Sequence, residues 1–258
     1  MRILFVGDVV GRPGLEIVER RLRGLREELG ADLCVTNGEN AADGVGLTPR
    51  LAERILAAGS DVLTLGNHTW RRIEITTMLE TSDRVIRPAN MPRALPGKGL
   101  AVATAADGTR VAVINLLGSL FLQPAVSPWE LVDDLVEQAR EQAPVVLVDM
   151  HAEATSEKVA MALHLDGRVS AVLGTHTHVQ TADERVLPGG TATITDVGMT
   201  GPHGGVIGVK AELAIRRMRT GYPVRFEVAE EDVRLQGALL SVDPVTGRSS
   251  AIERIDVA

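Results

Sequence analysis

Short apolar runs alternate with amphipathic stretches through the first third of the chain. Arg2 to Val6 is nearly all apolar, the pattern of a central strand buried on both faces. Gly7-Asp8-Val9-Val10-Gly11 forms its exit loop. A helix follows with Pro13 in its first turn; Leu15, Val18, Leu22, Leu25 and Leu29 fall on one face, and Gly30 ends it. Leu33 to Thr36 is a second strand, leading into Asn37-Gly38-Glu39-Asn40. Thr48-Pro49 opens a helix that Gly59 stops, and Asp61 to Leu65 is a third strand ending in Gly66-Asn67-His68. Strand–helix–strand repetition predicts a parallel sheet with helical crossovers.

The rhythm changes near residue 85. Leu100 to Ala106 and Arg110 to Leu116 flank Asp107-Gly108, the signature of a hairpin, so an antiparallel pair joins the parallel strands. Ser127-Pro128-Trp129-Glu130 reads as a capping box opening a helix to about Gln142. Val145 to Val148 is a strand leading to Asp149-Met150-His151, Thr155 starts a helix through about Leu165, and Val169 to Leu173 is a strand leading to Gly174-Thr175-His176-Thr177-His178. Thr191 to Thr195 is a short strand, and Lys210 to Arg219 is a helix with Gly221 and Pro223 beyond its end. Val224 to Val228 and Leu235 to Ile255 read as strands, the latter with a turn at Asp243 to Gly247. No linker, repeat or low-complexity segment interrupts the pattern, so residues 1–258 are expected to form one domain of mixed sheets covered by helices.

Five apolar runs end, at their C-terminal side, in residues with metal-ligand chemistry: Asp8, Glu39-Asn40, Asn67-His68, His151 and the His176/His178 pair. In extended backbone the two histidines would point to the same side. One such strand end is chance; five make a site. Two carboxylates, two amides and three imidazoles, with no thiolate nearby, suit iron, manganese, zinc or cobalt and not a structural zinc cage. Seven ligands exceed one ion and fit two ions sharing a carboxylate, which stand ~3.5–4 Å apart and clamp the oxygens of a phosphoryl group, with a bridging water that becomes hydroxide near neutral pH. His68 follows Asn67 directly, and adjacent side chains of an extended segment seldom reach the same metal. Its better role is to contact a phosphate oxygen and protonate the leaving alkoxide.

Composition narrows the partners. Hydrophobic residues are 45%, charged 24% and aromatic only 2%, so Val, Leu, Ile and Ala must build the core. The net charge of −7 argues against duplex nucleic acid, but not against a small phosphate ester, because bound cations reverse the sign locally. The single cysteine, Cys34, sits in an apolar run and reads as a buried, inert thiol. No apolar run reaches membrane-spanning length, and Met1 to Val6 runs straight into a motif without a secretory leader, so a cytoplasmic location is expected, with no membrane partner. A homo-oligomer stays open.

The motifs then carry a resemblance. Gly-Asp at the first strand end, Gly-Asn-His at the third, a lone His later and Gly-x-His-x-His at the last resemble the calcineurin-like metallophosphoesterase superfamily. The strings GDVVGRPG, NGENAADG, GNHTW, DMHAEATSEK, GTHTHVQTAD and TDVGMTGPHGG narrow it to the YmdB-like branch over essentially the whole chain. That resemblance implies an α/β fold, a four-layer α/β/β/α sandwich with two mixed β-sheets, and a dinuclear metal centre with 2′,3′-cyclic nucleotide phosphodiesterase activity. It assigns Asp8, Glu39, Asn40 and His178 to one ion and Glu39, Asn67, His151 and His176 to the other, with Glu39 as bridge and His68 as proton donor. Two positions depart from the wider superfamily. Val10 stands where a histidine is usual, with Asn40 as the substitute ligand, and Glu39 stands where most members have Asp. The phosphoprotein-phosphatase string is absent.

Other readings compete. The metal site could serve sensing or docking in a regulatory or RNA-processing protein, although His68 has no purpose in pure binding. A broad-specificity phosphatase and a metal-dependent amidohydrolase share the same ligand types. Elsewhere, His164 reads as structural and His203 as a plain loop residue. Arg216, Arg217 and Arg219 read as a solvated helix end. Asp149 and Asp196 read as groups supporting the ligands or capping backbone, while nothing in the sequence decides whether Lys158 and Glu153 support the site.

Overall fold

The computed structural model describes residues 1–258. Two mixed sheets stack face to face with helices outside each. The first sheet contains β1 (Arg2–Val6), β2 (Asp8–Val9), β3 (Leu33–Asn37), β4 (Val62–Thr64) and β5 (Val85–Ile86). The second contains β6 (Leu100–Thr104), β7 (Arg110–Leu117), β8 (Val145–His151), β9 (Ala171–Thr175), β10 (Arg185–Val186) and β11 (Ala192–Ile194). The chain then returns to the first sheet with β12 (Met199–Pro202), β13 (Val233–Val242) and β14 (Ser249–Val257). The strand orders are β2-β12-β13-β1-β3-β4-β5, with β14 on β13, and β10-β11-β9-β8-β7-β6. Helices α1 (Gly11–Leu29), α2 (Pro49–Ala58) and α3 (Ile75–Thr81) lie on the first sheet, and α4 (Val132–Gln142) and α5 (Thr155–His164) on the second. A sixth helix, α6 (Ala211–Thr220), stands apart.

Strand alternation builds the layers. Ile3 and Phe5 of β1 point between the sheets and meet Val111, Val113, Val145, Leu147 and Leu173; Leu4 and Val6 point the other way, onto α1. In the second sheet Ile114, Val146, Val148 and Val172 face α4 and α5. Three buried apolar clusters therefore separate four layers, the α/β/β/α sandwich that the family resemblance implies.

The structure corrects several sequence-based boundaries. Ser127 makes no side-chain cap; a 3-10 turn covers Pro128–Glu130, Leu131 leaves helical geometry at φ −133°, and the helix proper starts at Val132. The strand expected from Val169 begins at Ala171; at Ser170, just before it, the Val146 amide is taken by the serine hydroxyl and not by a backbone carbonyl. Val224 to Val228 is not a strand. Pro223 removes a donor, no neighbouring strand is in reach, and only Val228 pairs, with Val209. The two-residue strand β2 and its parallel partner β12 give no sequence signal, since each is too short to show periodicity; their register places Asp8 opposite Met199.

Candidate metal centre

The candidate side chains sit where strands of both sheets end. Asp8 lies in β2, Glu39 and Asn40 follow β3, Asn67 and His68 follow β4, His151 closes β8, and His176 and His178 follow β9. Residues far apart in sequence thus meet at the carboxyl ends of parallel strands, the usual place for a site in such sheets. Gly66 is required there: a Cβ would lie 2.3 Å from His151 Nε2 and 2.5 Å from Glu39 Oε2.

Glu39 is central and fully buried. Its Oε2 accepts the His68 amide at 2.9 Å, and its Oε1 stands 3.1 Å from His151 Nε2 and 3.4 Å from His68 Nδ1. Burial opposes ionisation, but His151 and His68 outweigh it and hold the carboxyl well below its usual range.

A hydrogen-bond chain fixes the His151 ring. The Thr175 hydroxyl donates to Asp149 Oδ1 at 2.6 Å, so Thr175 Oγ1 must accept from His151 Nδ1, at 2.8 Å. Nδ1 therefore carries a proton, and Nε2 faces two oxygens, Glu39 Oε1 and Asn67 Oδ1, the latter at 3.0 Å. A nitrogen so placed either holds a second proton or shares a cation with those oxygens. Burial works to lower the pKa of His151, but the charges of Glu39, Asp8 and Asp149 override it and bring it to about 9. Asp149 itself is raised to about 6 by burial. His176 packs edge-on against His151 with ring centres 4.8 Å apart, and burial plus the His151 charge depress its pKa to about 3. Ligand atoms of Glu39, His151 and His176 all lie within 4.8 Å of one another.

On the other side, Asp8 Oδ2 accepts the His176 amide at 3.2 Å, while Oδ1 is buried with no partner. Burial raises the Asp8 pKa, against the pull of His178 and His151. His178 donates from Nδ1 to the Ile207 carbonyl at 3.1 Å, leaving Nε2 as a lone pair 3.8 Å from Asp8 Oδ1 and 3.2 Å from Asn40 Nδ2. Asn40 gives its oxygen to His68 Nδ1 at 2.7 Å; ligation through that oxygen requires the amide to turn over. The buried, unpartnered Asp8 oxygen, the Glu39 and Asn67 oxygens and the ring nitrogens of His151 and His178 are the donor types a pair of cations needs, so the residues fit a dinuclear centre.

The structure brings all eight sequence-predicted residues together, but not by the expected backbone. His176 and His178 are not extended; their φ values are 94° and 64°, the left-handed region, at a cost of ~1–3 kcal/mol each for a non-glycine residue. Asp149 and Asp196 sit behind the ligands, bonded to Thr175 and Thr177. His164 pairs with Asp133 at the surface, and His203 is a loop residue whose Nε2 donates to the Met199 carbonyl at 3.1 Å.

Sequence reasoning missed the opposite wall. A cavity of about 1210 Å³ opens in front of the centre, lined by His68, His176, His178 and Ile207, whose carbonyl holds the His178 ring, and by Val45, Arg217, Met218 and Phe226. Arg217 is not merely a solvated helix end; its guanidinium lies 5.1 Å from the centre of the Phe226 ring. Met218 among the arginines of α6 and Phe226 in the stretch after it are the signals of this lining in the sequence.

Known proteins share this architecture. A crystal structure of a hypothetical protein from Thermus thermophilus superposes with a TM-score of 0.93 at 43% identity, covering 99% of this chain and 98% of that one. The crystal structure of a novel phosphatase from Mycoplasma pneumoniae superposes with a TM-score of 0.92 at 34% identity, covering 100% and 93%. The 2′,3′-cyclic-nucleotide 2′-phosphodiesterase of Bacillus subtilis is 48% identical over 255 residues, 99% of this chain and 96% of its own length. The family model described as YmdB-like protein matches residues 4–255. With strand-end carboxylates, amides and imidazoles gathered at one point of a four-layer sandwich, and with matches of this extent, the chain belongs to the YmdB-like family.

Proposed function

We propose that this protein, residues 1–258 acting as one folded unit, is a dinuclear metal-dependent phosphodiesterase that hydrolyses 2′,3′-cyclic nucleotides. The carrying observation is the convergence of Asp8 Oδ1, buried without a partner, with His178 Nε2 and the Glu39–Asn67–His151 triangle, beside a histidine that belongs to neither group. The activity of the Bacillus subtilis relative supports the substrate. Asp8, Glu39, Asn40 and His178 would hold one ion and Glu39, Asn67, His151 and His176 the other; nitrogen and oxygen donors suit iron or manganese, with zinc or cobalt as alternatives. Bound there, two ions supply charge neutralisation at the phosphate and a nucleophile drawn from water at neutral pH.

The chain's own part is positioning and proton transfer. Asn40 and Glu39 fix His68 through its Nδ1 and its amide, and the His68 ring lines the cavity. Water loses a proton to solvent and its oxygen bonds phosphorus as the P–O2′ bond breaks; His68 delivers a proton to the departing 2′ oxygen, giving a 3′-phosphate, and is reprotonated from solvent. Met218 and Phe226, which line the same cavity, offer the base an apolar surface away from the ligands. No helix is long and apolar enough to cross a membrane, and the substrate is a small cytoplasmic metabolite in this reading.

Purified protein loaded with manganese or iron should carry two ions per chain by elemental analysis and convert 2′,3′-cyclic AMP to 3′-AMP. Two bound ions with no cleavage of any cyclic nucleotide would overturn the assignment of substrate; no bound ion would overturn the centre.

A further inference from the structure

Behind the two histidines lies a buried ion pair that the reaction does not use. Lys158, in the first turn of α5, is 3% exposed, and Asp196, just past β11, is 1% exposed; their charged atoms are 3.0 Å apart. Thr177, the residue between His176 and His178, completes the cluster. Asp196 Oδ2 accepts from Lys158 Nζ, from the Thr177 amide at 3.0 Å and from the Thr177 hydroxyl at 2.6 Å, while Oδ1 accepts the Gly198 amide at 2.8 Å. The hydroxyl proton is committed to Asp196, so Thr177 Oγ1 accepts from Lys158 Nζ at 3.1 Å. Each charge thus has hydrogen-bond partners, and the three side chains close a ring.

We propose that Lys158 and Asp196 are positioning residues that clamp Thr177 and so hold His176 and His178 ready for two different ions. The inference rests on the reading that these histidines are ligands. Both have left-handed backbone, whose cost to a histidine surrounding contacts must offset, and the metal cannot supply those contacts before it arrives. The clamp can. It acts at the one residue shared by both histidines, through backbone and side chain together. It also cannot relax by sliding: a Cβ at Gly174 would lie 1.8 Å from the Thr195 carbonyl oxygen and 2.8 Å from Lys158 Cδ, so the end of β9 is pressed against the segment carrying Asp196 and against the lysine stem. A buried pair that served only stability could be exchanged for apolar side chains at little loss. A pair that aims ligands could not.

The test uses Thr177→Val, which keeps size and β-branching but removes the hydroxyl, and Thr177→Ser, which restores it. Metal-loaded proteins are titrated with a chelator and residual metal is measured. Groups that orient ligands change metal affinity by ~10- to 100-fold. Thr177→Val should release both ions together at a chelator concentration lower by that factor, and Thr177→Ser should follow wild type. Lys158→Met should reproduce the valine result, with circular dichroism confirming that each variant is folded. Wild-type retention by Thr177→Val, or loss of only one of two ions, would overturn the clamp. Wild-type protein that binds no metal would instead overturn the reading on which it stands.

Discussion

The two walls of the cavity are built on opposite principles. On the strand-end wall, Asp8, Glu39 and His151 are wholly buried, and nearly every polar atom there has a fixed partner from a strand, a loop amide or a threonine. On the facing wall, Met218 is 78% exposed and Phe226 42%, and the segment after α6 is tied back mainly by Val228 pairing with Val209. In the proposed reaction, chemistry that depends on tenths of an ångström sits on rigid sheet ends, and a surface that need only meet a flat ring sits on a lightly held arm.

The largest effect should come from breaking the rigid wall at its tightest point. Gly66→Ala puts a methyl group where His151 Nε2 and Glu39 Oε2 already stand, so the proposed centre cannot close; metal content and activity should both vanish, as they should for Glu39→Gln, which removes the charge proposed to bridge the two ions. Either variant retaining two ions and near-normal turnover would refute the central role of Glu39.

His68→Gln sharpens the division between assembly and chemistry within that wall. Both ions should remain, and turnover of a 2′,3′-cyclic nucleotide should fall by ~10²–10⁴. A nitrophenyl ester releases a phenolate that needs little protonation and should lose clearly less. Equal losses on the two substrates would make phosphate positioning the main role of His68.

Phe226→Ala probes the looser wall. Stacking of a base on an aromatic ring is worth ~1–3 kcal/mol, so KM for the cyclic nucleotide should rise by about 5- to 150-fold, with kcat, metal content and KM for a base-free ribose cyclic phosphate unchanged. A matching rise for the base-free substrate would count against stacking.

The smallest effect compares the walls without any mutation. Cys34 lies in β3, whose end carries Glu39, and burial pushes its thiol up to about 12. A thiol reagent at about pH 8 should find it unreactive until the protein unfolds. Trypsin should meanwhile cut near Arg225, in the exposed stretch after α6, while Cys34 is still protected. Thiol exposure in step with that first cleavage would show that the two walls unfold as one.

Much of the rigid wall is readable in advance because its signals are local. A run such as Arg2 to Val6 or Leu33 to Thr36 announces a buried strand by itself, and a ligand type at its end is visible without knowing what lies across the sheet. Thr48-Pro49 and Gly59 bound α2 for the same reason, and Thr48 does accept the Leu51 amide as a cap. The mixed sheets thus follow from sequence pattern, the four layers from the family resemblance, and the candidate residues that the motifs name are the ones the fold brings together.

Tertiary structure decided everything that depends on a partner distant in the chain. β2 and β12 exist only because they pair with each other and, through β12, with β13. Val224 to Val228, apolar enough for a strand, is an arm because no strand lies beside it. The left-handed His176 and His178 hang on Asp8, Asp196 and Lys158, up to 168 residues away in the chain. The tautomer of His151 is set by Thr175 and Asp149, and that of His178 by the Ile207 carbonyl. Sequence pattern records what each segment buries; which hydrogen bonds those buried groups then make, and hence which nitrogen faces the site, depends on neighbours that only the folded chain supplies.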